Sequence, residues 1–163
     1  MSLIFWRQFV LMKTIGVIAI GGGCLLGLID AGTKLFRPES YTASFDYLNA
    51  FSLSFQIDAL SAFFLVAIDT ICLLAALYSY HYMDKPQKAF RTAGNYFFFS
   101  LLTVSMALVV TAGNLITFML SWEIMSLSSF FLVIYNYEAE ENRRAGYLYF
   151  VFSQVGAMFI LAA

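Results

Sequence analysis

Long apolar blocks separated by short polar clusters organise this chain. The blocks cover about residues 14–29, 57–80, 95–111 and 115–135, and a last one runs from 147 to 163. Hydrocarbon offers no partners for backbone N–H and C=O groups, so each block is predicted as a helix. The fourth would rise about 31 Å, enough for a bilayer core. The first is short for a span unless residues 9–12 join it and Lys13 snorkels to the interface. Arg7 and Lys13 ahead of an apolar run also resemble the start of a signal peptide, but no convincing A-x-A cleavage site follows.

Between the blocks, residues 30–56 read as a polar and aromatic connection. HYMDKPQKAFRTAG closes the second block with Pro86 and a basic cluster, TAGN is a tight turn, and NYEAEENRRAG is the next loop. The sequence stops at FILAA inside an apolar run, and a helix from 147 to that point would be too short to span. The expected architecture is therefore all-α. It is one transmembrane helical bundle over residues 1–163, with four complete helices and a truncated fifth, and it reads as a fragment of a larger multi-span subunit.

Composition agrees with this. The chain is 61% apolar and only 12% charged, against about a quarter charged in soluble domains. A net charge of −1 gives no field to attract nucleic acid. Cys24 and Cys72 form no CxxC and both lie in apolar runs, which points to packing rather than to a cluster or a disulfide framework. With the N-terminus in the cytoplasm, Arg7, Lys13, Lys85, Lys88, Arg91, Arg143 and Arg144 fall inside, and only Lys34 and Arg37 outside. That asymmetry is the positive-inside bias.

The candidate chemistry is carried by acids. A charge at a helix centre costs about 2.5–3.5 kcal/mol on insertion scales, so an intramembrane acid is a functional candidate that should face the bundle interior or water. Glu123 lies near the middle of the fourth block, in FMLSWEIMSLSSFFLV, and is the main candidate for proton or ion translocation. Burial disfavours its charged form and a nearby cation would favour it, and a site balanced between the two can take and release a proton. A permanently protonated Glu that only hydrogen-bonds a neighbouring helix is the plainer reading. Asp58, at the outer end of the second block, reads equally as an entrance acid and as a charge favouring a helix N-terminus. Asp69, eleven residues on, shares a face with Asp58 at roughly 16 Å. His81 suits proton exchange at a pore mouth or plain interfacial packing.

No metal-ligand set and no flavin, haem or cluster site is present in the pattern. Ala19, Gly23 and Gly27 repeat at four-residue spacing, a face on which helices can approach closely. Every lysine and arginine falls in a loop or at an edge, so Glu123 has no cationic partner in this sequence.

QIDALSAFFLVAIDTICLLAALYSYHYM and LITFMLSWEIMSLSSFFLVIYNYEAEENRRAGYLYFVFSQVGAMFILAA resemble the antiporter-like subunits of respiratory complex I. Their relatives occur in formate hydrogenlyase and hydrogenase-4-type complexes and in multi-subunit sodium/proton antiporters. SWEIMSLSSFFLV followed by EENRRAGYLYFVFSQVG looks closest to the hydrogenase-type branch. The resemblance implies a membrane subunit of a redox-driven complex, of hydrogenase or NADH–quinone oxidoreductase type, moving protons or sodium ions through Glu123. The family pairs that glutamate with a lysine on a later helix, beyond residue 163. It also usually has one more helix before the first one seen here. Gln154 stands where some relatives carry histidine, and no role is implied for Asp69.

The same resemblance implies no cofactor or catalytic centre in this chain. It implies other membrane and hydrophilic subunits as partners, the lipid bilayer and no nucleic acid, and location in the inner (plasma) membrane. A non-translocating scaffold for a hydrogenase arm and a stand-alone sodium/proton antiporter are the alternatives.

Overall fold

The structure, a computed structural model, describes residues 2–36, 41–47, 51–82, 89–136 and 139–162. Its elements are α1 (Ser2–Phe36), a hairpin of β1 (Tyr41–Tyr47) and β2 (Phe51–Ile57), α2 (Ala59–Tyr82), α3 (Ala89–Val110), α4 (Leu115–Val133) and α5 (Glu140–Ala162). A single 3-10 turn, Ile134–Asn136, follows α4. Five helices are long and apolar enough to cross a membrane, as expected of an all-α membrane bundle.

α1, α3 and α5 begin well before the apolar blocks that announced them. α1 starts near the N-terminus and continues through Asp30 and Lys34, which bond across one turn at 2.6 Å. Lys13 therefore lies within α1, buried, with its ammonium 4.7 Å from the centre of the Tyr80 ring. α5 begins at Glu140 rather than 147, so it has 23 residues and is long enough to span. The reason is that hydropathy marks where a helix meets hydrocarbon, whereas backbone bonding continues into the polar flank.

α1 and α2 form the most extensive helix pair. On α2 the buried positions are Ala62, Leu65, Asp69, Cys72 and Ala76, and on α1 Ile20, Cys24 and Ala31. Steps of three and four residues make this an interlocking seam of the kind that heptads build. Gly27 completes it, because a Cβ there would collide with the Asp69 carboxylate. The Ala19–Gly23–Gly27 face behaves differently from expectation. Nothing lies within 4 Å of where a Gly23 Cβ would be, so only Gly27 is a site of close approach. Farther along α1, Gly16 leaves room for the Tyr96 ring of α3, whose hydroxyl in turn meets Ser79 of α2 at 3.3 Å.

The hairpin was not anticipated within residues 30–56. Its strands pair antiparallel, with Tyr41 opposite Ile57 and Tyr47 opposite Phe51. β2 is pinned to the α3–α4 turn. Gln56 N–H donates to the Thr111 carbonyl and Gly113 N–H to the Ser54 carbonyl, both at 2.7 Å. Ser54 N–H reaches the Thr117 hydroxyl at 2.9 Å, and the Asn114 amide donates to the Ser52 carbonyl at 2.7 Å. Gly113 must be small here, since a Cβ would press on Ser54 backbone and side chain.

Candidate functional site

α4 owes its start to Asn114, whose side-chain oxygen accepts the Thr117 N–H at 2.8 Å, a polar N-cap on an otherwise apolar segment. The 19-residue helix places Glu123 ninth, roughly 12 Å along its axis from Leu115. Thr117, Ser121, Ser126 and Ser128 are buried, and small side chains of this kind let neighbouring helices approach closely. The Ser128 hydroxyl turns back onto the Ile124 carbonyl at 2.7 Å, so it is satisfied within its own helix.

One stripe of α4 meets α5 in antiparallel register. Gly146 allows Ile134 to close in, and the Phe130 and Phe150 rings lie 5.5 Å apart. The Ser126 and Ser153 hydroxyls share a hydrogen bond. At the end of the stripe the Gln154 amide donates to Glu123 Oε2 at 2.9 Å. Positions 134, 130, 126 and 123, descending from the 3-10 turn along α4, meet positions 146, 150, 153 and 154 of α5 in order. Glu123 is half-buried. Among the described residues no lysine, arginine or histidine forms an ion pair with it; its partner is a neutral amide. Next to it, the buried Trp122 indole N–H has no hydrogen-bond partner among the described residues.

The other predicted site residues are dispersed. Asp58 stands just before α2 and caps it: Oδ1 accepts the Ser61 N–H at 2.7 Å, and the Asp58 carbonyl accepts from Ala62. The Ser61 N–H foremost, with the Ser61 hydroxyl beside it, holds its carboxyl below the ordinary value of 3.8. Asp69 lies on the buried stripe of α2, packed against Gly27 of α1. His81 belongs to the last turn of α2, and its side chain lies outside the described residues. Among the described side chains, no hydrogen bond or ion pair joins Asp58, Asp69 and Glu123.

Sequence reasoning treated Gln154 only as a doubtful proton carrier and missed it as the partner of Glu123. The available signal was polarity alone: Ser126 and Glu123 on one helix, and Ser153 and Gln154 on the next, interrupt apolar runs.

Residues 45–91 match the family model described as NADH-ubiquinone oxidoreductase (complex I), chain 5 N-terminus. Residues 112–163, which include both Glu123 and Gln154, match the family described as NADH:quinone oxidoreductase/Mrp antiporter, TM. Over 153 residues, 93% of this chain, the sequence is 31% identical to hydrogenase-4 component B of Escherichia coli, covering 22% of that protein. It is 31% identical over 68% of the chain to a putative antiporter subunit, mnhA2, of Staphylococcus saprophyticus, covering 14% of it. NADH-quinone oxidoreductase subunit L of Neisseria meningitidis is 26% identical over 81% of the chain, covering 19% of that protein. The chain thus spans about a fifth of the length of such relatives.

Proposed function

Since the chain belongs to the antiporter-like membrane subunits of complex I, hydrogenase-4-type and multi-subunit cation–proton antiporter systems, we propose that it is part of an ion-translocating subunit in which Glu123 takes and releases a proton. The observation that carries this reading is the Glu123–Gln154 bond: a carboxyl deep in α4, reached from α5 by one neutral donor. A cation would hold the carboxylate in one charge state. An amide both donates and accepts, so Gln154 can bond the carboxylate through its NH₂ and, turned over, accept from the protonated acid. Both protonation states are thereby served by one side chain, which is what a relay group needs.

The subunit works beside other membrane and hydrophilic subunits, in a complex whose redox steps occur elsewhere and drive proton or sodium movement. The N-terminus lies in the cytoplasm, by the asymmetry of lysine and arginine, and the membrane is the inner (plasma) membrane. On that orientation the hairpin and Asp58 face the outside, where the exposed Asp58 carboxylate can exchange protons with water while it caps α2.

The test is Glu123→Gln in the full-length subunit, assembled in its complex, with proton pumping and electron transfer measured together in sealed vesicles. Pumping falls while the electron-transfer centres stay intact. Undiminished pumping refutes the relay and leaves a scaffold. The likeness to an antiporter subunit favours a second reading, cation/proton exchange without a redox partner. Exchange driven by an imposed sodium gradient, with no electron donor added, would decide for it.

A further inference from the structure

Away from Glu123, a cavity of about 370 Å³ opens between α1, α2 and α3, lined by Ala19, Gly23 and Gly27, by Asp69, and by Ser100 and Thr103. It reaches Asp30 near the hairpin end of α1. Asp69 is only 6% exposed, and among the described residues nothing donates a hydrogen bond to its carboxyl group or pairs with it. The rest of the polar lining cannot help. The Ser100 hydroxyl spends its proton on the Tyr96 carbonyl at 2.9 Å, and Thr103 spends its own on the Phe99 carbonyl at 3.0 Å. Each hydroxyl is thus engaged by a carbonyl of its own helix, and Thr103 also meets the Cys72 thiol.

The titratable groups around Asp69 are few. On α1 they are Cys24, a weak donor at best, and Asp30, which Lys34 already neutralises at 2.6 Å. Its own helix adds Cys72, and the α3 lining adds none.

An ionised carboxylate that no donor or cation reaches is stabilised by nothing, and burial penalises it further. Such a lining calls for a proton or a cation. Apart from Asp30, which is already paired with Lys34, the side-chain oxygens at hand are two from Asp69 and one each from Ser100 and Thr103, too few for a desolvated metal ion when hard cations such as calcium collect about six to eight. The volume, by contrast, equals roughly a dozen waters at liquid density, enough to connect Asp69 to the exposed Asp30 end.

We propose that Asp69 is a second proton-binding site of this subunit, loaded through the α1–α2–α3 cavity from the Asp30 end and separate from Glu123. The event is addition of one proton to one carboxylate oxygen, with no other bond changed. It does not depend on Glu123 acting as a relay.

The test uses dicyclohexylcarbodiimide, an uncharged probe that captures protonated carboxyl groups within membranes, on the full-length subunit in native vesicles. The acid adds across the carbodiimide and rearranges to a stable N-acylurea with no leaving group, located by peptide mass spectrometry. Asp69 is expected to carry the adduct, with labelling falling about tenfold per pH unit above its midpoint. Labelling persists in Glu123→Gln, disappears in Asp69→Asn and returns in Asp69→Glu. If Asp69 stays unlabelled while an uncharged maleimide still reaches Ala19→Cys in the same cavity, the proposal is overturned in favour of a fixed ion pair. Suppression of labelling by sodium ions at constant pH overturns it in favour of a metal-cation site. Since the adduct is read in Glu123→Gln as well, the two proposals stand or fall separately.

Discussion

The Glu123–Gln154 bond can be weighed by a double-mutant cycle. Replacing Gln154 by Leu removes the only donor that reaches the Glu123 carboxyl among the described residues, and Glu123→Leu removes the acceptor. At 2.9 Å the bond has ordinary N–H···O length, so its strength depends on the charge of the acceptor. Hydrogen bonds between membrane helices average about 0.6 kcal/mol and reach about 1.7. Bonds to a charged group contribute about 1.5–3 kcal/mol.

The coupling energy is obtained from reversible unfolding of the full-length subunit in detergent, comparing wild type, both single variants and the double variant. Because Glu123 has a neutral partner, we expect about 0.6–1.7 kcal/mol, the range of membrane bonds between uncharged groups. Coupling above about 2 kcal/mol would mean that Glu123 is held ionised, by a cation from outside these residues. Distant, independent sites add to within about 0.3–0.5 kcal/mol. A coupling inside that scatter would refute the α4–α5 register on which the site is built.

Two further outcomes follow from the hairpin end of the bundle. Asn114→Ala loses both the N-cap on Thr117 and the donor to the Ser52 carbonyl, about 1 kcal/mol each, while Asn114→Asp keeps the cap; thermal unfolding should show the Asp variant losing about half as much. An Asp variant as stable as wild type would deny the hairpin contact, and equal losses in the two variants would deny the cap. The capping bonds hold the Asp58 carboxyl below 3.8 in the folded protein, so its stabilisation is complete above that value and fades as pH falls through the folded one; Asp58→Asn should melt without that acid dependence, and identical pH profiles would contradict the cap.

The bundle was legible because hydrocarbon leaves the backbone one solution per apolar block. Helix ends were not, since Asp30, Lys34 and Glu140 are polar yet helical, and hydropathy registers only the membrane-embedded part. The hairpin was missed although FSLSFQI and YTASFDY alternate apolar and polar residues strictly, which is the strand signature. Its aromatic content had suggested an interfacial connection instead. Glu123 stood out because a charge in an apolar run is conspicuous by itself. Gln154 did not, because an uncharged amide acquires meaning only once α5 is laid against α4.

Three of the candidate acids, Asp58, Glu123 and Asp69, have three different supports, and the difference argues for their roles. Asp58 has water and a backbone N–H, so its charge is fully satisfied and structure alone accounts for it. Glu123 has one neutral donor, enough to orient a carboxyl but not to fix its charge. Asp69 has burial, a glycine that makes room for it, and no donor among the described residues. A buried carboxyl persists at such cost only where it is neutral or where something outside these residues completes it. Satisfaction falls from Asp58 to Glu123 to Asp69, and the room for proton chemistry grows in the same order. On this argument the small-residue face of α1 serves less to bring helices together than to leave Asp69 a space in which to change its charge.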